Sequence, residues 1–161
     1  MIESEMNARA VIVRDEHILL ARLKDDESYT FLPGGKFNVG EYDVDSGSSE
    51  RDLSIYDALS REVKEEAGLT GRIDDVLGIF SKVYTRSRAA AGADLHFVGF
   101  LYRVAPTGGT LRDEVGGSTD TCAWFAPDEL RGLRIVGVAR HAIELALPGA
   151  MLSGPLAGPI E

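Results

Sequence analysis

Three carboxylates, Glu62, Glu65 and Glu66, stand at i, i+3 and i+4 in the run Arg61-Glu62-Val63-Lys64-Glu65-Glu66-Ala67-Gly68-Leu69. In a helix that spacing puts all three on one face. Like charges at i, i+4 repel by a few tenths of a kcal/mol, so Glu62 and Glu66 oppose the helix unless positive charge lies between them. A hard divalent cation reverses that sign, because Mg²⁺ takes oxygen ligands, usually one or two carboxylates plus substrate phosphates. Arg61 lies four residues before Glu65 and four after Asp57, so it can brace either. Gly68 is a natural helix terminator. A solvated, charge-laced surface helix explains the same nine residues without any chemistry, and both readings stand at this level.

The upstream stretch Leu32-Pro33-Gly34-Gly35-Lys36-Phe37-Asn38-Val39-Gly40-Glu41 changes the balance. Together the two stretches resemble the Nudix box: a Gly, five residues, a Glu, seven residues, then Arg-Glu-apolar-x-Glu-Glu-x-Gly-apolar. Gly35 and Glu41 match its first half. Arg61, Glu62, Val63, Glu65, Glu66, Gly68 and Leu69 match its second. The spacing departs at one place. From Tyr42 to Ser60 there are nineteen residues where the family has seven, an insertion of about twelve, placed at 42–53. A polar insertion is thermodynamically mild, since loop closure grows slowly with length.

The resemblance implies an α/β/α sandwich with a mixed sheet, covering about residues 8 to 147. It implies hydrolysis of a nucleoside diphosphate linked to another moiety: a nucleoside triphosphate, ADP-ribose, another nucleotide sugar or a dinucleoside polyphosphate. It implies Mg²⁺ or Mn²⁺ held by Glu62, Glu65, Glu66 and the Gly34 carbonyl. An acidic residue from the loop before a late strand often completes the site, with Glu114 the first candidate and Asp120 the second. Glu62 is the expected general base, Glu66 the alternative, and Arg61 a brace that pairs with Glu41 if the insertion lets it. Arg22 and Lys36 are candidate substrate contacts. Phe31 could stack on a base, and Gly35 lets backbone approach a ligand closely. The competing reading is a Nudix-fold nucleotide-binding module whose insertion has displaced Glu41 and weakened catalysis.

Composition narrows the class. At 161 residues one domain is expected, including a tail at 148–161. The net charge of −9 argues against a nucleic-acid polymer as partner, since such binding relies on Lys and Arg neutralising phosphates. It leaves room for a small nucleotide, because bound cations invert the local sign of a carboxylate site. No apolar run is long enough to cross a membrane as a helix. One cysteine, Cys122, excludes an intramolecular disulfide and suits a reducing compartment, so the cytoplasm is expected. The Pro- and Gly-rich tail could not fold alone, which makes a homodimer an expected partnership.

The elements that must position the box follow from periodicity. Residues 8–14 and 17–23 read as strands around an Asp15-Glu16 turn, with His17 exposed beside it. Residues 24–28 form a charged loop, and short strands follow at 29–32 and 36–37. Asp52 or Ser54 caps the helix. Its apolar stripe Ile55, Leu59 and Val63 borders Glu62 and Glu66, as a helix packed on a sheet requires. Strands are expected at 72–85, 94–105 and 121–126, with His96 in the second as a core or half-exposed partner. Pro106–Gly109 reads as a hairpin turn leading to Thr110-Leu111. Pro127 opens a short helix, and a longer one is expected at 135–147 with apolar Ile135, Val138, Ile143 and Leu147.

Overall fold

The structure is a computed structural model that describes residues 2–25, 27–31, 34–36, 54–84, 94–116 and 119–150. Seven strands and two helices follow one another along the described chain: β1 (Ile2–Arg14), β2 (His17–Leu23), β3 (Tyr29–Phe31), β4 (Gly34–Lys36), α1 (Ile55–Ala67), β5 (Leu69–Tyr84), β6 (Asp94–Gly109), β7 (Thr119–Phe125) and α2 (Gly137–Ala146). One mixed sheet runs β3-β2-β1-β6-β5. β4 pairs with β1, and β7 pairs with β2. β1 and β6 are parallel over Ile2↔Asp94 to Ile12↔Val104, and the other pairings are antiparallel.

The alternation of β1 and β2 divides the interior. Ala8, Ala10, Ile12, Leu19 and Ala21 face α1 and pack with Leu59, Val63 and Ala67. Val11, Ile18 and Leu20 face the other way and pack with Ala139, Ala142, Ile143 and Ala146 of α2. Successive side chains of a strand point to opposite faces, so a strand covered on both sides reads as a nearly continuous apolar run. The result is the expected α/β/α sandwich. Each fully buried Leu or Val on α1 contributes about 1.5–3 kcal/mol to docking the helix that carries the box carboxylates.

Local signals explain the ends of α1. Ser54 is extended, and its hydroxyl accepts the Asp57 amide at 3.2 Å and donates to Asp57 Oδ2 at 3.0 Å. Of the two expected caps, Ser54 is the one used. Gly68 closes the helix at φ 70°, where its amide bonds the Lys64 carbonyl. An added Cβ there would also meet the Thr110 carbonyl at 2.5 Å. The Asp15-Glu16 turn has φ of 49° and 61°, the two positive values that a tight two-residue hairpin needs.

Several expectations need correction. β1 starts at Ile2 rather than at residue 8, because pairing with β6 carries the charged first residues. β4 occupies 34–36, so the glycines themselves are strand. Pro106–Gly109 is not a hairpin turn. It continues β6 against Leu69–Gly71, and a proline is tolerated there because β1 no longer pairs with β6 beyond Val104. Residues 127–132 form turns instead of a short helix. α2 starts at Gly137, since Ile135 bridges to Tyr29 and the Val136 amide bonds the Tyr29 carbonyl at 3.0 Å. Its buried face is mostly alanine, which lets it sit close to the sheet. The 42–53 insertion and residues 151–161 of the tail lie outside the described residues.

Candidate active site

β4 and the carboxylate face of α1 meet through two glycines. In the β1–β4 ladder Ala8 pairs with Gly35 and Arg9 with Gly34. Ala8 lies under α1, so Gly35 also faces the helix. A Cβ at Gly35 would sit 2.5 Å from Glu62 Oε1 and 2.8 Å from its Cδ. The Gly34 amide donates to Glu66 Oε2 at 3.2 Å. At Gly34 an added Cβ would run into the Ala8 carbonyl and Arg9. Both glycines are therefore required by close approach, one to a carboxylate and one to a neighbouring strand.

The three helix carboxylates differ in environment. Glu62 is 16% exposed and accepts Arg61 Nη1 at 2.8 Å. Glu65 is 52% exposed and takes the same nitrogen at 3.2 Å. Arg61 thus braces Glu65 as its spacing suggests, and Glu62 as well, while Asp57 bonds Ser54 instead. Glu66 lies deepest, and its carboxyl is pushed up to about 8. Burial is the main cause, the Glu62 charge adds to it, and Glu114 contributes further. The Gly34 amide and Arg9 oppose the shift. A carboxyl held neutral by burial and by like charges marks a place short of positive charge.

The remaining candidates divide. Glu114 is close enough to Glu66 to raise its pKa, and it accepts the Thr119 amide at 3.0 Å and the Thr119 hydroxyl at 2.8 Å. Arg22 does not join the helix carboxylates. It grips Asp120 across β2 and β7 with Nε at 3.0 Å and Nη2 at 2.9 Å. That pair holds the Asp120 carboxyl below the usual range. The side chains of Phe31 and Lys36, and the whole of Glu41, lie outside the described residues. Cys122 is buried under the site, with its thiol 3.8 Å from the Glu66 carbonyl. Burial and the charges of Asp113, Glu66 and Glu114 push it up to about 12, so it stays a protonated, inert thiol.

One residue near the site had no sequence signal. Arg9, inside an apolar strand, donates Nη1 to the Gly34 carbonyl at 2.6 Å. Its guanidinium lies 5.8 Å from the centroid of the Phe97 ring. Only the pairing of β1 with β4 brings it to the glycine loop.

A NUDIX domain profile matches residues 5–145. The chain belongs to the Nudix hydrolase family. Within the family, a MutT-like protein of Streptomyces ambofaciens is 26% identical over 125 residues, which are 78% of this chain. The chain spans 66% of that relative's length. The MutT NUDIX hydrolase of Burkholderia pseudomallei superposes with a TM-score of 0.65 at 25% identity, over 89% of this chain and 98% of that one. An ADP-ribose pyrophosphatase of Streptococcus suis superposes with a TM-score of 0.57 at 25% identity, covering 88% and 87% of the two chains.

A Nudix site implies a divalent cation, and the donors fit one. Glu62 and Glu66 offer hard oxygens beside the Gly34-Gly35 backbone, the donor type that a hard divalent cation takes. Among the described residues, no three His, Cys, Asp or Glu side chains are already drawn together as a metal cage. The carboxylates are instead held by Arg61, Gly34 and Thr119.

Proposed function

We propose that this protein is a Mg²⁺- or Mn²⁺-dependent pyrophosphohydrolase acting on a nucleoside diphosphate derivative. The observation that carries the reading is the paired Glu62 and Glu66 carboxylates converging on Gly34-Gly35, with Glu66 pushed up by burial first and by the Glu62 charge second. The family of the chain and the names of its relatives, MutT and ADP-ribose pyrophosphatase, support pyrophosphate cleavage. The name of the Streptococcus suis relative makes ADP-ribose the first substrate to try, with nucleoside triphosphates, other nucleotide sugars and dinucleoside polyphosphates beside it. The single cysteine suits a reducing compartment, and the cytoplasm is the proposed one.

Glu62, Glu65, Glu66, Glu114 and the Gly34 carbonyl would hold the ion. When bound, the ion neutralises charge on the phosphate oxygens and orients a water. Glu62 is the proposed general base: Arg61 fixes its carboxyl, and the missing Cβ of Gly35 leaves room beside it. Glu66 is the alternative base, tied to the loop through the Gly34 amide. Arg61 positions Glu62 and Glu65. The buried floor of Ala8, Val63 and Cys122 beneath the site keeps water from the back of the carboxylates.

The test is turnover on a nucleotide panel with Mg²⁺ or Mn²⁺, run on the wild type and Glu66→Gln in parallel. The expected result is release of a nucleoside monophosphate, with a loss of more than about 100-fold in the variant, the size typical of a group used in acid–base or metal chemistry. Turnover unchanged in the variant would overturn the assignment of the site. No turnover on any substrate would overturn the enzymatic reading.

A further inference from the structure

The Gly34 carbonyl is expected to face a metal ion, yet in this chain it already has a cationic partner. Arg9 Nη1 donates to it at 2.6 Å, a short charge-assisted bond. The contact is built by the fold. Arg9 and Gly34 are direct partners in the β1–β4 ladder, and the Arg9 stem crosses the space where a Gly34 Cβ would stand. The guanidinium is held from another side by the Phe97 ring at 5.8 Å, and that ring packs on Phe80 at 6.2 Å. The amide of the same glycine donates to Glu66 Oε2. One residue, Gly34, therefore links the deepest carboxylate of the site to a fixed positive charge on β1.

We propose that Arg9 is a resident counter-cation of the carboxylate site, which holds the Gly34 carbonyl in the metal-free protein and opposes the divalent ion that must share it. The inference rests on the proposed metal-dependent function. Its physics is simple. A guanidinium bonded to a ligand oxygen stands within a few ångströms of any ion bound to that oxygen, and like charges at that range repel even in a high dielectric. Arg cannot shed its proton to relieve the conflict. Arg9 thus keeps the Gly34 carbonyl bonded and lends positive charge beside Glu66 before an ion arrives, at the expense of metal affinity. Its purpose on this reading is to confine occupancy to conditions where the cation is abundant or arrives with an anionic nucleotide.

The experiment is direct Mn²⁺ binding to the full chain, by titration calorimetry and by the spin resonance signal of free Mn²⁺. Wild type, Arg9→Gln and Arg9→Lys are compared, each checked for a cooperative melt. Compared at a pH where Mn²⁺ affinity has levelled off, so that Arg9's own help in ionising Glu66 does not offset the effect, removing the charge in Arg9→Gln is expected to tighten Mn²⁺ by about tenfold, the scale of one nearby charge in a partly screened site. Arg9→Lys keeps the charge and is expected to stay within about twofold of wild type. If Arg9→Gln binds Mn²⁺ no tighter than wild type, or more weakly, Arg9 supports the carbonyl instead of opposing the ion, and the proposal is overturned while the metal-dependent reading survives. If wild type and both variants bind no Mn²⁺ at all, the metal reading and the proposal fall together.

Discussion

At the residue scale the site depends on what is missing from it. Gly35 has no side chain, and the Glu62 carboxyl takes the space a Cβ would need. Gly35→Ala is therefore expected to push Glu62 off its Arg61 partner and lower turnover by at least about tenfold, since small displacements of catalytic groups cost far more activity than stability. The melting temperature should move little, because strain there is relieved by one flexible carboxylate. Wild-type turnover in Gly35→Ala would show that Glu62 need not sit where it does. That the glycines and carboxylates belong together was legible in the sequence, because their types and spacing match the box. The Arg22–Asp120 pair was not, since its partners lie 98 residues apart and meet only when β7 joins β2. Arg9 was invisible for the same reason: an arginine in an apolar strand looks alike whether it meets solvent or a glycine carbonyl.

At the element scale, α1 carries the site and local sequence alone specifies both its ends. Ser54 caps the first turn, and Gly68 ends the last in a conformation that other residues resist. Ser54→Ala is expected to cost about 1 kcal/mol. That corresponds to a fall of roughly 2–4 °C in Tm for a domain of this size, readable by calorimetry. The carboxylates sit two turns and more from the cap, so turnover should survive below the transition. An unchanged Tm would mean that the Ser54–Asp57 bonds are replaced by water at no cost. Elements whose signals are local, such as α1 and the turn between β1 and β2, were read nearly to the residue. Elements decided by pairing were not. Pro106–Gly109 carries every mark of a turn, yet β5 holds it as strand across a register shift at Thr70-Gly71. Ile135 has a helix-compatible pattern, but Tyr29 captures it as a bridge.

At the scale of the whole molecule, the buried Glu66 ties stability to pH and to metal. Its carboxyl titrates near 8 in the folded chain and near the ordinary 4.5 when unfolded. Between those values the folded state binds the extra proton, so stability falls as pH rises through that window. A shift of this kind amounts to a few kcal/mol at most, fully felt only above about pH 8. Comparing the wild type with Glu66→Gln, which cannot ionise, isolates the effect from every other titrating group. The stability of the wild type relative to the variant should decline steadily from pH 5 to pH 8 in chelator. A divalent ion needs the ionised carboxylate, so its binding competes with that proton and strengthens over the same range. Saturating Mg²⁺ should accordingly raise the wild-type Tm more at pH 8 than at pH 6, and should offset the decline seen in chelator. In Glu66→Gln the Mg²⁺ effect should shrink and lose its pH dependence. An equal Tm increase at both pH values in the wild type would mean that the ion binds without displacing the Glu66 proton, and the carboxylate pair would then not be its site.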